Sequence, residues 1–245
     1  MKKINKKIII SIFVFLIILL LSISIIIANN TADKTNFEID KEKLYHEIKY
    51  FDSQIIYIMS LLNNINNTEE FYIDWNELQK QNENLYNYWN SVILDLNYLD
   101  IDKKNLTDFS QKLDELNISI KNNDKDITLQ NFLDLYNKLI IYSETLNNES
   151  YRLLLDTKYN LLVSYCIAEK ENWTLTYEYI LKASDNMSNM VKQTSNNEYN
   201  QYNINQAYIS VKVLENIINI KDINVFYMKY KIAMNNIEKI KTGEA

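Results

Sequence analysis

The stretch LYHEIKYFDSQIIYIMSLLNNI, residues 44–65, decides the fold class. Its apolar residues Leu44, Ile48, Phe51, Ile55, Ile58, Leu62 and Ile65 recur at steps of 4, 3, 4, 3, 4 and 3. Such steps put all seven on one face of an α-helix, whereas a strand needs alternation by two. The spacing predicts a helix over residues 37–65, with Thr35 and Glu38 at capping-box separation at its start.

The same period continues down the chain. A second seam runs through Trp75, Leu78, Leu85, Trp89, Val92, Leu96 and Leu99, with Asn82 at one seam position. Its start is Asp74, with Glu77 at capping-box spacing, or Thr68 further back. The polar break 63–67 between the two predicts an antiparallel hairpin. Asp102 caps a third helix of Leu106, Phe109, Leu113, Leu116 and Ile120, which ends in the run 121–124. A fourth starts near Asp126 and carries Leu129, Phe132, Leu133, Tyr136, Leu139, Ile140 and Leu146.

Residues 147–150 read equally as a turn or as one polar face of a helix continuing to Glu171. The next face holds Leu154, Leu161, Leu162, Tyr165 and Ala168. Asn172 then caps a helix of Trp173, Tyr177, Ile180, Leu181, Met187 and Val191. After a break at 194–197 comes a face of Tyr202, Ile209, Val213, Ile217 and Ile220. Asp222 caps the last helix, with Phe226, Tyr230, Ala233, Ile237 and Ile240. The expectation is all-α: seven or eight amphipathic helices in a bundle or stack over 37–245, with 37–149 and 150–245 as candidate sub-bundles. Residues 157–190 also have the size of one tetratricopeptide unit, with Ser164, Tyr165, Thr176, Ile180 and Ala183 near its small and aromatic positions. No second copy follows in register.

Composition agrees. The chain of 245 residues has one Gly, no Pro, one Cys and one His. Without Gly and Pro the tight turns of sheet proteins are not available. Rossmann and P-loop phosphate sites need several glycines, and zinc sites need several Cys or His.

Ahead of the helices stands a different pattern. Lys2, Lys3, Lys6 and Lys7 precede Ile8–Ile27, a run with no charge whose polar residues are Ser11, Ser22 and Ser24. Twenty helical residues cross about 30 Å of hydrocarbon, and a cleaved signal usually has a shorter apolar region. The expectation is a cytoplasmic stub and signal anchor over 1–28, a linker over 29–36, and everything beyond outside the membrane. A cleaved signal ending at Ala28 is the alternative. Residues 1–36 hold five Lys and one acid. Of 26 basic and 32 acidic residues, 21 and 31 therefore remain beyond them, a net −10. That charge offers no footprint for nucleic acid and keeps an exported domain soluble. One Cys forms no internal disulfide. Together with heavy Asn, Ile and Lys, this suits a Gram-positive envelope.

Candidates for chemistry are few. Glu42 and His46 share a helix face and offer two ligands for a weak metal site; an exposed polar position is the plainer account. Cys166 lies in an apolar stretch and reads as a small core residue. Asp114-Glu115 and Glu69-Glu70 read as solvated pairs, and Arg152, the sole Arg, as one member of an ion pair. No catalytic residue, metal ligand or cofactor is expected. The aromatic set Trp75, Tyr86 and Trp89 offers a binding groove, with core packing as the alternative role.

The segments Trp75-Asn76-Glu77-Leu78, Glu83-Asn84-Leu85-Tyr86 with Trp89-Asn90, Ser119-Ile120-Lys121-Asn122, and Phe226-Tyr227 with Lys229-Tyr230-Lys231 carry a resemblance. They resemble uncharacterised exported helical proteins of clostridia and related Firmicutes, some of which carry a lipobox that this chain lacks. The resemblance implies an exported, membrane-tethered helical domain and transfers no site. The function expected is a non-catalytic interaction or scaffold protein that binds another envelope protein. The alternative is an extracytoplasmic ligand-binding or sensory domain that signals through a partner.

Overall fold

With one glycine and no proline in the chain, asparagine and aspartate make the turns. In a computed structural model, residues 41–62, 73–96, 101–193 and 198–241 are described. The chain divides into two compact units, Met1–Lys43 and Leu44–Ala245. Among the described residues there are eight α-helices and no strand. They are α1 (41–62), α2 (Trp75–Leu96), α3 (Lys103–Lys121), α4 (Lys125–Glu144), α5 (Glu149–Ala168), α6 (Trp173–Gln193), α7 (Glu198–Ile217) and α8 (Ile223–Ile237). A 3-10 turn, Ile218–Ile220, follows α7. The chain is therefore all-α and forms a helical bundle. No described helix is long and apolar enough to cross a membrane. The apolar run 8–27, the linker 29–36, the Thr35–Glu38 box, the breaks at 63–67 and 194–197, and Leu99 lie outside the described residues.

Six of the described helices, α2 to α6 and α8, start on a side chain that accepts from orphan backbone N–H groups of the first turn. Asp74 Oδ1 takes Asn76 and Glu77 N–H at 3.1 and 3.0 Å, and Asp102 takes Lys104 N–H at 2.9 Å. Asp222 takes Asn224 and Val225 N–H, and Asn172 takes Leu175 N–H. The fourth helix begins one residue before Asp126, at Lys125, because Asp124 is the cap and accepts from Ile127 N–H at 3.0 Å. Asn147 has φ of 54° and Asn148 caps α5, so a turn over residues 145–148 separates α4 from α5, and residues 149 and 150 are already helical. Asn123, Glu171 and Lys221 also take left-handed φ, each between two helices. Asn is among the few side chains that tolerate that region, whereas Glu171 and Lys221 hold it without glycine's freedom.

The seams of the first four helices bury as spaced. Phe51 on α1, Trp89 on α2, Phe109 on α3 and Tyr142 on α4 form one aromatic chain, with Trp89 and Phe109 ring centroids 4.2 Å apart. The central helix is α5. It buries residues all round, from Tyr151 to Ala168, where the sequence pattern marks a single face. It packs on α4 and α6, while α7 packs on α6 and α8, and α8 returns to α5. That closes a four-helix ring, α5 to α8, in which Tyr165 stacks on Tyr227 and touches Tyr230. The residues matched to a tetratricopeptide unit are all buried, Tyr165 against α8.

One predicted face is shifted and another is turned. On α6 Ile180 and Met187 are buried as predicted, joined by Thr176, Ala183 and Met190, while Tyr177 is exposed. On α7 the buried row is Ile204, Ala207, Val211, Leu214 and then Ile218, not Tyr202, Ile209 and Ile220. The small residues Thr176, Ala183, Ser184, Ala207 and Ser210 face inward, which lets backbones approach closely. Ile204, Val211 and Leu214 of α7 go in with them, and Tyr202 and Ile209 are left outside.

Candidate functional site

The aromatic residues of α2 divide between core and rim. Trp89 is 1% exposed, and its Nε1 donates to Ser110 Oγ at 2.8 Å. It packs on Phe51 and Phe109 and is a core residue. Trp75 and Tyr86 are half-buried at the edge of that core. The Tyr86 phenol sits beside Asp114, whose charge and hydrogen bond push its pKa up. The structure thus splits the three, and neither described depression is lined by any of them.

A second constellation escaped the sequence reading. Lys158 on α5, 4% exposed, lies 2.7 Å from Asp52 Oδ2 on α1 and 2.8 Å from Glu238 Oε1 at the end of α8. Tyr136 on α4 donates its hydroxyl to the other oxygen of Asp52 at 2.5 Å. Burial works against the Lys158 charge, but Asp52 and Glu238 outweigh it and hold the pKa above the ordinary lysine value. Burial first, and then the Asp52 charge, keeps Tyr136 neutral far into the alkaline range. The Tyr151 hydroxyl is buried with no hydrogen-bond partner among the described residues, and burial and then the Asp52 charge raise its pKa. The cluster joins four helices through one cation.

A signal for it existed. Lys158 stands at the 4, 3, 4 steps of Leu154, Leu161 and Tyr165, and Asp52 at those of Ile48, Ile55 and Met59. A charge at a seam position is buried by the fold and needs a partner there. Asn82, also at a seam position, is buried with its Oδ1 unpaired among the described residues.

The remaining candidates take local roles. His46 is exposed and meets the Tyr45 ring edge-on at 5.6 Å. Among the described residues no three His, Cys, Asp or Glu side chains converge on a metal position. Arg152 forks onto Glu149, donating through Nε and Nη2 at 2.9 and 2.7 Å. Glu47 accepts from the Tyr88 hydroxyl on α2. Cys166 is buried, and burial pushes its thiol pKa up to about 12, so at neutral pH it is a protonated apolar group.

The outer side of α7 exposes large apolar residues. Tyr202, Ile209 and the following Ile220 are 62, 54 and 60% exposed. They stand opposite the buried row, with Val213, Asn205, Gln206 and Asn216 between them. Among residues 200–220 no charged residue falls on this side; Lys212 and Glu215 pair with each other at 2.7 Å on the flank. The chain matches no family model, no curated protein and no solved structure.

Proposed function

We propose that the protein is a non-catalytic interaction or scaffold protein of a Gram-positive cell envelope. Its first 28 residues tether it to the membrane, and its helical domain stands outside. The outer face of α7 receives an amphipathic helix from another envelope protein. The observation that carries this reading is the uncharged apolar stripe of Tyr202, Ile209, Val213 and Ile220 in a domain of net −10. Its steps of 7, 4 and 7 are sums of the three- and four-residue steps that pair helices inside the bundle, so a helix fits it. A charged occupant would be desolvated against a face with no counter-charge, which selects a partner with an apolar and amide stripe. For the tether, support comes from the uncharged run 8–27 behind four lysines. The resemblance to exported helical proteins of Firmicutes points the same way.

A benzophenone side chain placed at position 209 of the full chain, in cells that make it natively, tests the docking face. The expected result is an adduct with one envelope protein, absent from position 118 on α3 and lost in Ile220→Lys. Equal adducts at both positions, or none at 209, would remove α7 as the docking face.

A further inference from the structure

A groove of about 240 Å³ lies where α4, α5 and α6 meet. Its floor is apolar: Leu129 and Leu133 from α4, Val163 and Cys166 from α5, all buried. The half-buried rings of Tyr159 and Tyr179 form its walls. Its mouth is ionic. Lys170 Nζ lies 3.0 Å from Asp126 Oδ1, with side chains 66 and 74% exposed. The neighbouring Lys125 is engaged by Glu169 at 3.0 Å.

We propose that this groove binds a free hydrophobic α-amino acid, with its ammonium on Asp126, its carboxylate on Lys170 and its side chain on the floor between Tyr159 and Tyr179. The volume is below the roughly 300–1,000 Å³ of sites for drug-sized ligands, so the ligand is small. The floor presents no charge, so the body of the ligand is apolar. The mouth offers one cation and one anion side by side, which matches a zwitterion and neither an amine nor an acid alone. Exposed ion pairs contribute about 0–1 kcal/mol, so Asp126 and Lys170 exchange one another for the ligand's groups at little cost. The protonated thiol of Cys166 packs against the ligand and does not react with it. The second depression, lined by Ser143, Glu144, Asn147, Asn148, Glu149 and Arg152, lacks an apolar floor, and its cation is already forked onto Glu149. The site is independent of the docking face on α7.

The only Cys in the chain lies on this floor, so its labelling rate reads occupancy. The full chain in lipid nanodiscs is labelled with methyl methanethiosulfonate and followed by intact mass, with L-phenylalanine, phenethylamine or 3-phenylpropionate added. Phenylalanine is expected to slow labelling about tenfold at saturation, with each half-analogue needing about five times more ligand. Lys170→Ala and Asp126→Ala are expected to raise the half-maximal phenylalanine concentration about fivefold, each read against that variant's own labelling rate without ligand. Equilibrium dialysis with tritiated phenylalanine counts the sites independently of the thiol, and one per chain is expected. No bound phenylalanine, equal protection by all three compounds, or variants indistinguishable from the parent would overturn the proposal.

Discussion

α3 and α4 are two neighbouring helices of 19 and 20 residues; α6 and α7 are two more, of 21 and 20. In the first pair the row of large apolar residues is the buried row. Leu106, Phe109, Leu113, Leu116 and Ile120 on α3 all face the core, as do Leu129, Phe132, Tyr136 and Leu139 on α4. In the second pair small residues join large ones in the buried rows, and on α7 Tyr202 and Ile209 go outward. Periodicity states that a helix is amphipathic. When a helix carries apolar residues on two arcs, periodicity does not state which arc a neighbour covers. On α7 the choice falls to Ile204, Ala207, Val211 and Leu214, because Ala207 and Ser210 let α6 and α8 approach where Tyr202 and Ile209 would hold them off.

The widest break in this comparison is at the junction of the two regions. Lys158 on α5 joins Asp52 of the first helices to Glu238 at the end of the last. Lys158→Met leaves Asp52 charged and buried, and is expected to cost about 4 kcal/mol in urea unfolding at neutral pH. The folded pKa of Lys158 is raised, so its contribution is complete below the ordinary lysine value of 10.5 and is lost as pH climbs through the raised value. The gap between parent and variant should therefore hold steady near neutral pH and close only above 10.5. A gap that closes near pH 7 would mean that Lys158 carries no buried charge.

Next comes Leu113→Ala, in the region where spacing and burial agree. Removing a fully buried Leu from α3 is expected to cost about 3 kcal/mol by the same measurement. A loss near zero would mean that the seam of α3 is not packed.

The smallest effects sharpen the comparison most, because they distinguish the two arcs of α7. Ala207→Leu overfills the inner arc and should cost about 2 kcal/mol. Ile209→Asn, on the outer arc, should stay within about 0.5 kcal/mol. Reversed values would put the spacing-based face inward after all.

The candidate sites were legible to different degrees. Trp75, Tyr86 and Trp89 lie near one side of α2, yet a small rotation separates the core ring of Trp89 from the rim rings of the other two. Spacing along a helix resolves a face, not the depth of a ring. The Asp52–Lys158–Glu238 cluster left a trace as two charges at seam positions, but their pairing spans 106 residues in sequence and depends on how α1, α5 and α8 meet. The groove at Tyr159 and Tyr179 left no trace, since its floor residues are ordinary members of two seams.

The sequence by itself determined the helical class, the caps Asp102, Asn172 and Asp222, and the burial of α3, α4 and α8. Those depend on local physics: the 3.6-residue turn, side chains that satisfy first-turn N–H groups, and a single apolar arc per helix. The tertiary structure alone decided which arc of α6 and α7 turns inward, why α5 is buried all round, and which anions share the buried Lys158. Those outcomes depend on distances between helices far apart in the chain, set by side-chain volume and by the need of a buried charge for a partner.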